Sequence, residues 1–228
     1  MRSALIVGAG SGLSASLARL FASNGMQVAL AARDTGKLGD LCAETGAMVH
    51  ACDATRPDQV SRLFDAVLQA QGVLDVVVYN ASARAQGPLI ELDPEQVAGA
   101  IAVTAFAGFV VGQNAAKHML PRGSGAILFT GASASVKGYP RSASFAMGKF
   151  ALRGLAQSMA RELAPKGIHV AHFVIDGVIR NPGRTEPPDS PDSMLDPDAV
   201  AETYWHVLNQ KRSAWTWEVE LRPWVEKF

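Results

Sequence analysis

The chain has 228 residues, 48% hydrophobic and 18% charged, with 21 basic and 21 acidic side chains and a formal net charge of zero. That length fills one core, so a single domain over residues 1–228 is expected, and the charge balance excludes the basic face of a protein that tracks nucleic-acid phosphates. No apolar run is expected to span a bilayer, no charged leader precedes the first strand, and Cys42 and Cys52 lack metal or redox spacing; a cytoplasmic protein with reduced thiols follows.

Residues 4–7 are a short apolar run with β-branched members, as expected for an inner strand of a parallel sheet covered on both faces. Gly8, Gly10, Ser11, Gly12 and Leu13 lead from it into a helix whose Leu13, Leu17, Leu20 and Phe21 share an apolar face. Glycines there permit positive φ and close approach to the backbone, and the helix start near Gly12 offers unpaired N–H groups to a diphosphate. A plain tight turn needs the same glycines. A second apolar strand at 27–31, where a βαβ unit closes, favours the nucleotide.

Ala32-Arg33-Asp34 follows, where dinucleotide folds place the group that reads the adenine ribose. Ala32 supplies no acid for the ribose hydroxyls, and the planar fork of Arg33 suits a 2′-phosphate, which favours NADP(H) and leaves NAD(H) possible. An arginine capping the strand at the surface is the alternative. A short helix over 37–45 and a third strand over 48–51 are predicted. Asp53 then either takes an adenine amino group or serves as a turn residue or cap for a helix over 57–71. A fourth strand over 74–79 delivers Asn80 and Ala81 to the crevice outside the strand ends.

Asp93 caps, and Pro94 starts, a helical stretch through Met119 whose many small residues suit close packing, within one subunit or across two. A fifth strand over 126–130, a long helix over 144–164 and a sixth strand over 170–175 follow. Residues 180–197, rich in Pro, Asp, Ser and Gly, read as a mobile loop and candidate lid. A helix over 198–210 and a final strand over 214–221 close the chain, with Trp215, Trp217, Val219 and Leu221 alternating onto one face. His118 and His169 read as packing or helix-end residues, with no metal site expected.

Gly8-x-x-x-Gly12, Cys52-Asp53, Val78-Tyr79-Asn80-Ala81, Phe145-x-x-x-Lys149 with the helix behind it, the run 160–170 and Gly177 together resemble the short-chain dehydrogenase/reductases over nearly the whole chain. The resemblance implies an α/β, doubly wound Rossmann-like fold of about seven parallel strands in order 3-2-1-4-5-6-7. It also implies a nicotinamide dinucleotide touching Ala54 and Val178 besides the residues above, a small carbonyl or alcohol substrate, and a homodimer or homotetramer joined through the long helices.

The departures bear on function. The family's third glycine falls on Ser14, its catalytic tyrosine on Phe145, its serine on Ala132 and its asparagine on Thr104, which leaves Lys149 from the usual tetrad. Phenylalanine keeps the ring and loses the proton, and general acid–base catalysis alone is worth about a hundredfold to ten-thousandfold. Tyr139, Ser133 and Ser135 are candidate replacements, and Asp176 is expected near the nicotinamide. A catalytically inactive dinucleotide-binding protein or scaffold is the rival reading.

Overall fold

A computed structural model describes residues 2–226. Seven parallel strands form the sheet: β1 Ser3–Val7, β2 Gln27–Ala32, β3 Met48–Ala51, β4 Val76–Tyr79, β5 Gly125–Thr130, β6 Ile168–Ile175 and β9 Glu218–Leu221. Two-residue strands β7 Val178–Ile179 and β8 Met194–Leu195 pair separately. The sheet order β3-β2-β1-β4-β5-β6-β9 is the expected doubly wound arrangement, and it reverses between β1 and β4. β1, β4 and β6 are buried throughout; β4 and residues 4–7 of β1 read as continuous apolar runs, and β6 is apolar but for His169 and His172.

Helices α1 Leu13–Ser23 and α7 Pro197–Leu208 cover one face, where Leu17, Phe21, Val200 and Tyr204 pack on Ile6, Val78 and Phe173. On the other face α3 Pro57–Gln71, α5 Ala107–Met119 and α6 Ala143–Leu163 bury Phe64, Val111 and Leu152 against Leu5, Val77 and Phe129. The short α2 Gly39–Thr45, entered through a 3₁₀ turn at Gly36–Leu38, lies beside α1. Asp93 caps α4 Pro94–Ile101 by accepting from the Glu95 amide at 3.0 Å. Asp196 does the same for α7 through the Asp198 amide at 2.8 Å, so that helix starts one residue before the expected boundary.

Several expectations need correction. Helical structure runs from Pro94 to Arg122 through a π-helical turn at Ala102–Phe106, and by length and composition alone this stretch is long and apolar enough to cross a membrane. In this fold it buries Thr104, Ala107, Val110, Val111, Ala115 and Met119 instead. The final strand begins only at Glu218, so the alternation breaks: Val219 and Leu221 join one core, Trp217 the other, and Trp215 stacks on His169 at 4.6 Å. Residues 180–197, expected to be a mobile loop, are tied at their base, where β7 and β8 pair beside the Arg180–Asp196 ion pair.

Beneath the β5 end, the ring of His172 fits only because Gly131 has no side chain; a Cβ there would overlap Nε2. His172 Nδ1 lies 3.0 Å from Glu218, which also takes both forks of Arg153 at 2.6 and 2.8 Å, while Ser135 Oγ sits 3.4 Å from Nε2. Burial pulls the His172 pKa down to about 4. The unfolded chain, with a histidine near 6.5, therefore binds more protons below that pH, so this contribution to stability is whole above about pH 6.5 and lost as pH falls through about 4. Urea unfolding should show wild type losing about 3 kcal/mol more than His172→Gln between pH 7 and pH 4; parallel curves would refute the assignment.

Candidate functional site

The crevice lies outside the carboxyl ends of β1 and β4. Gly8 adopts φ +88°, and a Cβ on it would overlap the Ala81 amide nitrogen, so the end of β1 packs directly on the chain leaving β4. Ser14 is buried, and its hydroxyl donates to Gly8 O at 3.1 Å and accepts from Asn80 Nδ2 at 2.7 Å. Gly12 is the N-cap of α1, no side chain caps that helix, and no acid occupies its first turn. Nothing stands within 4 Å of a Cβ placed on Gly10, and the nearest atom to one on Gly12 is Asn181 Cβ at 3.6 Å. The uncapped start of α1 thus has open space at Gly10 and only Asn181 and Arg180 near Gly12, which leaves room for an anion.

Three cavities line this crevice. One of about 330 Å³ gathers Gly8, Arg33, Lys37, Asp53, Ala54, Asn80 and Ala81. A second, about 340 Å³, gathers Asn80, Arg84, Phe145, Lys149, Gly177, Val178 and Arg184, and it shares Asn80 and Ser82 with the first. The third, about 650 Å³, runs outward from Gly10 and Ser11 to Arg180, Arg184 and Glu186. The structure therefore brings together most of the residues expected to bind a dinucleotide. Leu13 differs in that its side chain is buried in the core.

Asp53 takes the turn role in part: Oδ1 accepts from the Thr55 amide and hydroxyl at 3.0 and 2.7 Å, bonds that hold its carboxyl below the usual range. It does not cap α3, whose N-cap is Arg56. Burial and the neighbouring Asp53 push the Cys52 thiol up to about 11, so it stays protonated and inert.

Lys149 is 3% exposed, donates from Nζ to Thr130 O at 2.7 Å, and stands 5.7 Å from the Phe145 ring centroid. Burial, and then the charge of Arg84, pull its pKa down to about 7. Arg84 lies over the same Phe145 ring, its guanidinium carbon 3.8 Å from the centroid. The segment that carries it is pinned on both sides: the Ala83 amide donates to Thr104 Oγ1 at 3.1 Å, and Ser144 Oγ bonds both the amide and the carbonyl of Ala85. Thr104 thus holds the floor of the site by its hydroxyl.

The candidate replacement donors do not reach this cavity. Tyr139 is exposed, its ring 5.8 Å from Lys137 Nζ, and Ser133 sits in a 3₁₀ turn at Ser133–Ser135; neither lines the cavity. Ser135 is buried and accepts from the Ala132 amide at 3.1 Å. Asp176 is a correction as well, since its buried carboxylate pairs with Lys137 at 3.3 Å and Arg222 at 3.5 Å rather than lining the cavity. Lys37, Ser82, Arg84 and Arg184 were not singled out by sequence. Their one available sequence signal is nearness in the chain, with Lys37 four residues past Arg33 and Arg84 four past Asn80.

The chain matches the short chain dehydrogenase family over residues 2–187. It belongs to that family. Among curated relatives, "Short chain aldehyde dehydrogenase 1" of Euphorbia lathyris is 30% identical over 174 residues, 73% of this chain, and the match spans only 60% of the plant protein. The 3-oxoacyl-[acyl-carrier-protein] reductase MabA of Mycobacterium tuberculosis is 32% identical over 178 residues, 78% of this chain and 69% of the relative. A short-chain dehydrogenase of Rhodopseudomonas palustris superposes with TM-score 0.84 at 37% identity, covering 98% of this chain and 99% of that one. An alcohol dehydrogenase of Thermococcus sibiricus complexed with 5-hydroxy-NADP gives 0.87 at 26% identity, with 100% and 98% covered.

The lowered Lys149 pKa makes a measurable prediction about this member of the short-chain dehydrogenases. The unfolded lysine titrates near 10.4, so between there and about 7 the unfolded chain holds the extra proton, and the native state loses stability as pH falls through that window. Lys149→Met should gain on wild type in urea unfolding as pH falls from 10 to 7; a constant difference would show the amine to be charged throughout.

Proposed function

We propose that this chain is an NADP(H)-dependent oxidoreductase, folded as one domain over residues 1–228, that interconverts a small carbonyl compound and its alcohol at an atypical site. The observation that carries this reading is the continuity of the crevice: an uncapped helix start and the Arg33 and Lys37 cations open, through Asn80 and Ser82, onto the cavity of buried Lys149. Arg33 and Lys37 suit the 2′-phosphate that separates NADP from NAD, and the Thermococcus neighbour carries an NADP derivative. A nicotinamide bound there would supply or accept the hydride.

Every other step falls to the protein. Lys149, with one N–H donated to Thr130 O, keeps its remaining hydrogens for a ribose hydroxyl and for the substrate oxygen. Its pKa of about 7 lets Nζ exchange a proton at neutral pH, which neither Ala132 nor Phe145 can do. Reduction then balances as hydride to carbon and a proton from the Lys149 ammonium to oxygen, with the amine reprotonated from solvent. Free Cys42 and Cys52 fit a cytoplasmic site of action. The exposed Phe106 and Phe109 before and on α5, with Met147 and Phe150 on α6, fit a homodimer or homotetramer joined there.

The inactive dinucleotide-binding protein stays as the second reading, because Ala132 and Phe145 bring neither usual hydroxyl into the cavity. Fluorescence titration should give NADPH binding at least tenfold tighter than NADH, and Arg33→Ala should remove most of that margin. Tyr139→Phe should leave turnover within twofold and Lys149→Met should abolish it. If the parent is silent on a carbonyl panel while Phe145→Tyr with Ala132→Ser is active, the inactive reading wins.

A further inference from the structure

The walls around Lys149 carry an uncompensated positive charge. Arg84, Lys149 and Arg184 all line that cavity, and no Asp or Glu does. Among the described residues neither arginine makes an ion pair, although Arg184 also lines the outer cavity beside Asp40, Glu186 and Asp198, and the buried Asp176 is committed to Lys137 and Arg222. Lys149 is buried while Arg84 and Arg184 are exposed at the cavity mouth, so an anion entering there meets two guanidinium groups backed by a desolvated amine.

A diphosphate does not account for Arg84. The glycine turn opens onto the other two cavities, and Arg84 lines neither, whereas Arg184 is shared with the outer one. Arg84 is also held rather than loose. Its neighbours Ala83 and Ala85 are fixed to Thr104 and Ser144, and its guanidinium rests on the Phe145 ring at 3.8 Å. An arginine cannot serve as the proton donor, since it stays protonated; its planar fork instead fits a carboxylate by two parallel hydrogen bonds.

We propose that the substrate is a small oxo acid or hydroxy acid, and that Arg84, over Phe145 and with Arg184 adding charge from the loop, holds its carboxylate. This rests on the oxidoreductase reading for the reaction but not for the binding. The carboxylate is unchanged by the chemistry, the carbonyl carbon taking the hydride and its oxygen the proton. Phenylalanine at 145 then gives a flat apolar shelf for the guanidinium, where a phenol would add a hydroxyl beside the carboxylate.

The test compares oxo acids of three to six carbons, 2-oxobutanoate among them, with their methyl esters in NADPH oxidation, and titrates 2-oxobutanoate calorimetrically into protein loaded with NADP⁺. We expect wild type to favour acids over esters at least tenfold in kcat/KM. Arg84→Met should erase that preference through KM while NADPH binding stays within twofold, and Arg84→Lys should keep part of it. Binding of 2-oxobutanoate without turnover, lost in Arg84→Met, would sink the oxidoreductase reading and uphold the anion site. Equal rates on acids and esters in wild type would overturn the anion site and leave the oxidoreductase standing, and absence of both acid turnover and acid binding would also overturn it. Neither of these last outcomes needs a folded variant.

Discussion

One backbone contact governs the site: the end of β1 touches the end of β4 with no side chain between them. Gly8 lies so near Ala81 that any Cβ would part the two strand ends. The Ser14 hydroxyl then ties Gly8 O to the Asn80 side chain, so the first turn of α1 is fixed relative to both strands. From this follow the depth of the crevice and the direction in which α1 presents its free N–H groups. The serine in place of a third glycine therefore adds a brace and takes no room from the crevice.

The fold was legible wherever burial imposed a pattern. Apolar runs marked β1 and β4, and β6 despite its two histidines, because both faces of those strands are covered, and Asp93-Pro94 marked the start of α4 by its own capping chemistry. Legibility failed where a local rule gave way to packing. The period of two suggested by Trp215 and Trp217 breaks before Glu218: the Trp217 carbonyl already accepts from the His172 amide at 2.8 Å, but Trp215 stacks on His169 and Trp217 packs in the core opposite Val219. Arg33 was legible because its position at the end of β2 sets its surroundings. Arg84 was not, because its role depends on Phe145, Thr104 and Ser144, which are remote in sequence. Asp176 failed for the same reason, since partners from two other segments turn it aside.

The two sides of the sheet end use charge in opposite ways. Behind Gly131, the buried charged groups are matched, with Glu218 shared between Arg153 and a neutral His172. Burial works against the Glu218 charge, yet the hydrogen bonds from Arg153 hold its carboxyl below the usual range. In front, Lys149 and Arg84 stand without a carboxylate among the cavity walls, and both are pushed toward losing their protons. A matched interior costs little to keep, and an unmatched cavity is a standing preference for whatever brings the missing charge.

Arg184 reaches the crevice from an excursion that leaves and rejoins the fold at one point, the neck formed by β7, β8 and the Arg180–Asp196 pair. Closing a loop grows costlier only slowly with added residues. Insertions beyond that clasp would therefore leave the parallel sheet untouched while exchanging the side chain that overlooks Lys149. The rim of the cavity can thus change while the sheet and the α6 helix that carries Lys149 are kept whole.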